Sequence, residues 1–353
     1  MQLFTWGTNS HGQLGQGFES ELVSVPTATL IPKELEQTIS KNCQITGGGN
    51  HSIVISNGRV WGAGLDNTGQ LCSSEKKSSS LFSEIHALAA CNVIAVACGW
   101  DFSLFLSSNG TLHGCGSNTF NQLGISSKIA TGLTDLQHTD NEPFVQVSAG
   151  LRHAAAVTNT GCLQMWGVEK YVNQPTGFSG TVKVSCGQRH IVTLNTQNKL
   201  VAWGANNHGQ CGQDSTNTKH IKDPSYIEWD ESNGIIVDFC SGWTHSLLLT
   251  DRQQVYSWGR NTYGQLGRES YGNSFLPMRI PELEGITSIA AGSSEHSMAL
   301  DKLGQLWTWG WNEHGSLGNG NTENEFRPVN ISHFFPGSIQ SVGSGAGHSF
   351  AIV

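Results

Sequence analysis

The chain has 353 residues, with 43 Gly, 11 Trp and only 13% charged positions, against about 25% charge in an average soluble domain. Its formal net charge of −8 excludes a large electrostatic grip on nucleic acid, which is built from Lys and Arg facing phosphates. No apolar run is long enough to cross a bilayer as a helix and MQLFTWG lacks the parts of a secretory signal, so the expected setting is cytoplasmic, with the nucleus as a second location.

In chain order, the first predicted element is a strand ending at Trp6-Gly7, followed by the tetrad Gly12-Gln13-Leu14-Gly15. The Trp-Gly step returns as Ala63-Gly64, Cys115-Gly116, Trp166-Gly167, Trp203-Gly204, Trp258-Gly259 and Trp309-Gly310. The tetrad returns at Gly209 to Gly212 and Gly264 to Gly267, with variants at Gly69 to Cys72, Asn121 to Gly124 and Gly315 to Gly318. A second ruler, small-Gly-x-x-His, marks His51, Phe102, His153, His190, His245, His296 and His348. Both count seven units of about 51 residues, a period that signals repeat architecture. The unit between Trp166 and Trp203 is the exception, being short and without a tetrad. It is expected to lack an outer strand or its loop, a tolerated defect or an edge that a partner strand could join.

Within each unit the His slot opens a segment such as HSIVIS, HAAAVT or HSLLLT, then a Gly or Asn turn, then a strand ending at Trp-Gly. Paired apolar runs joined by such turns predict hairpins. One small sheet cannot bury both faces; seven arranged radially bury them against one another. The fold class expected is all-β, a seven-bladed β-propeller forming one domain over 1–353. Each chain end supplies half a blade, and pairing Ser349 to Val353 with Leu3 to Trp6 is expected to close the ring, with the His segment read as the first inner strand.

These motifs resemble the regulator of chromosome condensation repeat family over essentially the whole chain. ACGWDFS, SAGLRHA, CSGWTHS, WGWNEHG and GAGHS are closest to its secretion-linked exchange-factor branch. The resemblance implies a propeller that binds protein partners: a small GTPase of the Ran type in some members, an exocyst component in the secretion-linked branch. The function expected is non-enzymatic protein binding on or beside a small GTPase, with guanine nucleotide exchange as the activity in question. A chromatin-associated exchange factor for Ran and an inert scaffold or adaptor are the alternatives. The acidic charge and a first strand that begins at once, with no basic tail before it, weigh against the chromatin reading.

The two residues between the Gly and the His slot are expected in turns on one rim, before the inner strand. There stand Trp100, Asp101, Leu151, Arg152, Gln188, Arg189, Trp243, Thr244, Glu295 and His296. Trp100, Asp101, Arg152, Arg189, Trp243, Glu295 and His296 are the partner-binding candidates. The resemblance carries the acidic and His roles onto Asp101, Glu295 and His296, although this chain has few acids there and one extra residue in GSSEH. Light-sensing relatives cluster Trp beside Arg in such turns; here Trp100 and Trp243 stand three units apart, which argues against that use.

The repeated His are expected to be structural, each bonding backbone between blades, because a catalytic group is needed once and not per blade. No catalytic motif, cofactor site or metal site is expected. Nine Cys without a C-x-x-C pair fit reduced thiols, Cys72 standing for a Gly, Cys115 for a Trp and Cys211 for a Leu as packing variants. On that reading the glycosylation triplets at Asn50, Asn109 and Asn330 are accidents of composition, and Lys76-Lys77 belongs to a solvated loop. Two loops, Ser73 to Ser80 and His220 to Gly234, are the candidates for a wedge, with Trp229 as a local anchor or an interface residue.

Overall fold

A computed structural model describes every residue except 74–75, 137–141, 168–178, 270–271 and 293. Seven antiparallel sheets form the blades of a β-propeller, numbered here by the Trp-Gly step each carries. Blade 1 joins both chain ends, running outward from the axis as Ser341–Ser344, His348–Ile352, Leu3–Asn9 and Ser20–Ala28. Blade 2 is Gln44–Gly47, His51–Ser56, Arg59–Gly64 and Ser79–Glu84. Blade 3 is Val93–Cys98, Phe102–Ser107, Leu112–Ser117 and Ile129–Leu136. Blade 4 has three strands among the described residues, Phe144–Ala149, His153–Thr158 and Leu163–Gly167. Its expected missing outer element falls on 168–178, outside the described residues. Blade 5 is Thr181–Cys186, His190–Asn195, Leu200–Ala205 and His220–Tyr226. Blade 6 is Ile236–Ser241, His245–Thr250, Val255–Gly259 and Ser274–Arg279. Blade 7 is Ile286–Ala291, His296–Asp301, Leu306–Gly310 and Glu325–Asn330.

Closure occurs where the two half-patterns meet: Leu3 pairs with Ile352, Thr5 with Phe350 and Gly7 with His348. No sheet edge is left open at the seam. The His segments, however, are the second strands and not the innermost. A further strand precedes each of them and lines an axial channel of about 290 Å³, with Thr46, Ala97, Ser148, Ser185, Ala290 and Gly343 among its walls. Facing that channel on one side, these strands carry a mixed pattern, whereas the second strands are buried on both faces.

The junction between blades is a repeated polar node. His296 Nε2 meets Ser349 Oγ on the next blade at 3.0 Å, and that hydroxyl donates to the Ser316 carbonyl at 2.9 Å. Trp6 Nε1 donates to the same carbonyl at 2.9 Å. The pattern recurs as His245, Ser297 and Trp309 on the Gln265 carbonyl, His348 and Ser52 on Gln13, and His51 and Ser103 on Gln70. Each serine commits its one proton to the carbonyl, so the imidazole donates through Nε2–H. Burial agrees, pulling His51, His296 and His348 down to about 3. His51, His245, His296 and His348 are therefore structural in the expected way but bond the neighbouring serine hydroxyl, whereas His153 and His190 are buried without a serine partner among the described residues.

The glycines follow from the same node. Gly318, the last of its tetrad, has φ +71°, and a Cβ there would lie 2.7 Å from Trp6 Nε1. A side chain would have to displace a fully buried indole. Between blades 2 and 3 both members change together, and the expectation of nine free thiols fails: Cys72 and Cys115 form a disulfide, with Cα atoms 5.4 Å apart. The tetrad loop's orientation is set by an asparagine at its start. Asn9, Asn118, Asn206, Asn261 and Asn312 each accept the amide five residues on, at 2.8–3.0 Å.

Candidate functional site

Hairpin direction assigns the faces of the ring. Innermost strands end, and third strands end, on the face called upper here; it carries the Trp100-type turns and the tetrad loops. The turns are tied to one another through backbone, Ala346 N to Gly48 O at 3.0 Å, Gly49 N to Trp100 O at 2.9 Å, Gln188 N to Trp243 O at 3.0 Å and Trp243 N to Ser294 O at 2.9 Å. A set of turns held through main chain keeps its shape whatever its side chains, so the rim is a rigid platform with exchangeable decoration.

Trp100 and Trp243 meet above the channel mouth, ring centroids 5.7 Å apart and tilted by 37°. Three units apart in sequence, they lie on opposing sides of the ring and reach inward over the axis, so separation along the chain does not keep them apart. A void of only about 10 Å³ lies beneath them, against Gly99, Leu151, Gly187 and Gly242. Trp100 remains 37% exposed, an uncommon position for a large aromatic and one enriched at protein interfaces.

Around the pair the exposed charges are cationic. Arg152 is exposed and stacks on Phe120 at 4.1 Å; Arg189 is exposed on the neighbouring turn. Leu151 and Gln188 sit half-buried beside them. Asp101 is half-buried: burial pushes its carboxyl up, and the Ser117 hydroxyl and the Arg152 charge pull against that. Its carbonyl accepts from Thr68 Oγ1 at 3.0 Å, joining the turn to the blade 2 tetrad loop.

Glu295 and His296 lie below this surface. Glu295 is 4% exposed and His296 fully buried. Glu295 points inward, where Gln265 Nε2 donates to it at 2.8 Å, Thr244 Oγ1 donates as well, and His245 Nδ1 lies 3.3 Å away. Burial pushes the Glu295 carboxyl up, but the hydrogen bond and charge of His245, with the hydrogen bonds from Thr244 and Gln265, outweigh it and hold the carboxyl below its usual range. Arg260, which stacks on Tyr263 at 4.8 Å, lies 3.7 Å from the same carboxylate. His296 Nδ1 is occupied by Ser294 Oγ at 2.7 Å. Thus Trp100, Trp243, Arg152, Arg189 and Asp101 converge on the rim, while Glu295 and His296 brace it from inside.

Arg260, Tyr263 and Phe120 were not among the sequence candidates. They stand in tetrad loops just after the Trp-Gly step, where alignment of the units would have placed a second ring of variable positions. Trp229 is a local anchor: its Nε1 donates to Gly234 O at 3.1 Å and its ring meets Tyr256 edge-on at 4.8 Å. His220–Tyr226 is an outer strand and the segment after it runs along the lower face, away from the Trp pair. Among the described residues, no three His, Cys, Asp or Glu side chains converge as a metal-ligand set, and no helix is long and apolar enough to cross a membrane. What the rim offers is recognition: stacking, cation–π contact and charge.

Comparison with known proteins is consistent along the whole chain. It is 34% identical to the secretion-regulating guanine nucleotide exchange factor of Bos taurus, covering 99% of this chain and 82% of that protein, and 32% identical to that of Mus musculus, covering 99% and 83%. It is 28% identical to the ultraviolet-B receptor UVR8 of Arabidopsis thaliana over 87% of this chain and 74% of the receptor. Among solved structures, Prp20p of Saccharomyces cerevisiae, described with its binding to Gsp1p and histones, superposes with a TM-score of 0.86 at 24% identity, over 99% of this chain and 90% of that one. The family model described as the RCC1-like domain matches residues 2–351, and the chain belongs to that family.

Proposed function

We propose that this propeller binds a small GTPase through its upper rim and accelerates release of the bound guanine nucleotide. The names of the Bos taurus and Mus musculus relatives support this. The single observation that carries it here is the pair of exposed Trp100 and half-buried Trp243, on a platform held by backbone hydrogen bonds and flanked by Arg152 and Arg189. Exchange needs no covalent chemistry: a factor that binds the nucleotide-free GTPase better than its loaded form shifts the equilibrium toward release. A rigid platform suits that task, because its shape is not remade to fit the loaded form. The exposed arginines fit an acidic surface on the partner. Residence in the cytoplasm and association with an exocyst component belong to the same reading, through the secretion-linked relatives.

The test is release of a fluorescent guanine nucleotide from a panel of purified small GTPases. Acceleration of about tenfold or more on one of them, equivalent to about 1.4 kcal/mol, and lost in the double variant Trp100→Ala/Trp243→Ala, is the expected result. A GTPase that binds without faster release would leave an adaptor; no binding across the panel would overturn the reading.

A further inference from the structure

The six tetrad loops act as each other's controls, and one of them breaks the rule. In blades 1, 3, 5, 6 and 7 the tetrad loop is organised by an asparagine that uses both ends of its amide. Asn118 accepts from Leu123 N at 2.8 Å and donates to the Ile125 and Ser127 carbonyls at 2.7 and 2.6 Å. Asn206 accepts from Cys211 N at 3.0 Å and donates to the Gln213 and Thr218 carbonyls at 2.9 and 2.8 Å. Blade 2 has Asp66 in that place. Its Oδ1 keeps the acceptor half, taking Leu71 N at 2.7 Å. The donor half is gone: no hydrogen bond of good geometry reaches the buried Oδ2, and the residue has no exposed surface. An ionised carboxylate has no proton to give where an amide would donate two, and a buried oxygen left unpaired costs free energy.

We propose that Asp66 is a proton-operated latch on the blade 2 rim loop: protonated, it holds the loop as asparagine holds the other five, and ionised, it releases it. The surroundings favour the neutral acid. Burial, the largest influence, pushes its pKa up to about 6, against the Leu71 amide, the Ser73 hydroxyl and amide, and the Lys76 charge, which pull the other way. Lys76, on the same loop, is the one charged group acting on it among the described residues; blade 3 packs against the loop with Cys115, which as a disulfide half does not titrate. The neighbouring contact extends the consequence to the rim, since Thr68 of this loop donates to the Asp101 carbonyl at 3.0 Å. The latch stands on the loop geometry alone and does not depend on the identity of a partner.

The sign follows from linkage. A carboxyl whose folded pKa lies above its unfolded value near 3.8 stabilises the fold below that unfolded value, and the contribution is lost as pH rises through the folded value. From 3.8 to about 6 the folded state holds the proton on the order of a hundredfold more tightly. The experiment compares the disulfide-intact chain with Asp66→Asn, in which the amide is restored. Taking the difference in melting temperature cancels the titration of the buried histidines. We expect Asp66→Asn to match wild type near pH 4 and to melt a few degrees higher at pH 7.5, with the Leu71 amide exchanging more slowly in the variant at pH 7.5 only. A difference that is the same at both pH values, or an Asp66→Asn chain less stable at pH 7.5, overturns the latch. So does a wild type whose deficit at pH 7.5 is removed by calcium chloride, because a metal ion and not a proton would then fill the place.

Discussion

Two junctions of the ring, blades 7 to 1 and blades 2 to 3, solve one problem with different side chains. At the first, Gly318 lies flat against Trp6, and the Ser316 carbonyl takes both the indole and Ser349. At the second, Ser103 still donates to the Gln70 carbonyl at 2.7 Å, but Cys115 occupies the indole's place, its Sγ 3.6 Å from that carbonyl, and is bonded to Cys72 in the glycine's place. The two changes are coupled: a Cβ at the glycine position is compatible with the node only once the indole has gone. At these two junctions the hydroxyl-to-carbonyl bond is the constant, and the filler of the remaining space is exchanged as a pair.

The comparison breaks most visibly if the filler at the regular junction is removed alone. Trp6→Ala leaves a cavity, at a cost of about 3–5 kcal/mol, and deletion of residues 1–7, which also removes the closing strand, should lower the melting temperature by many degrees. Calorimetry of both variants checks this, and an unchanged melt would contradict closure at the seam. At the second junction, Cys72→Ala/Cys115→Ala should cost about 2–4 kcal/mol, and reduction of the wild type should reproduce that loss without affecting the double variant. Ser349→Ala should cost about 1–3 kcal/mol by leaving the His296 Nε2–H buried and unpaired. The histidines also give the node a pH signature. His51, His296 and His348, held neutral down to about 3, add stability that is lost as pH falls through their unfolded value near 6.5. Chemical denaturation between pH 5 and 8 should show that loss on the acid side. Smallest of all, Trp100→Ala should change stability by less than about 1 kcal/mol, since surface positions seldom matter more, while weakening the partner.

Much of this architecture was legible in the sequence because a repeat states its own rules seven times. Trp-Gly and small-Gly-x-x-His counted the blades, and the half-patterns at the two ends located the seam. What the period could not convey was contact between units. Trp100 and Trp243 meet across the axis, a direction to which spacing along the chain is blind. Cys72 and Cys115 looked like independent losses of Gly and Trp because their adjacency belongs to neighbouring blades. The innermost strands escaped notice because half of each one lines a channel and its apolar pattern is weak. Glu295, expected as an exposed rim acid, is buried against His245 and Gln265, contacts with a neighbouring blade's residues that the spacing does not show. The asparagine of the loops, and Asp66 as its exception, stood in plain sight but carried no meaning until the hydrogen bonds assigned its two ends.

The two faces of the ring provide the sharpest test of where a partner sits. The lower face is not polar: Val145 and Val182 sit exposed at bulges where innermost strands begin. Titration of the GTPase identified by nucleotide release, nucleotide-free and against wild type, Trp100→Ala/Trp243→Ala and Val145→Ser/Val182→Ser, separates the faces in one experiment. The account predicts at least about a tenfold loss of affinity, about 1.4 kcal/mol, for the upper pair and no change for the lower pair. Equal affinity for wild type and the Trp variant, or a loss confined to the valine variant, would contradict it.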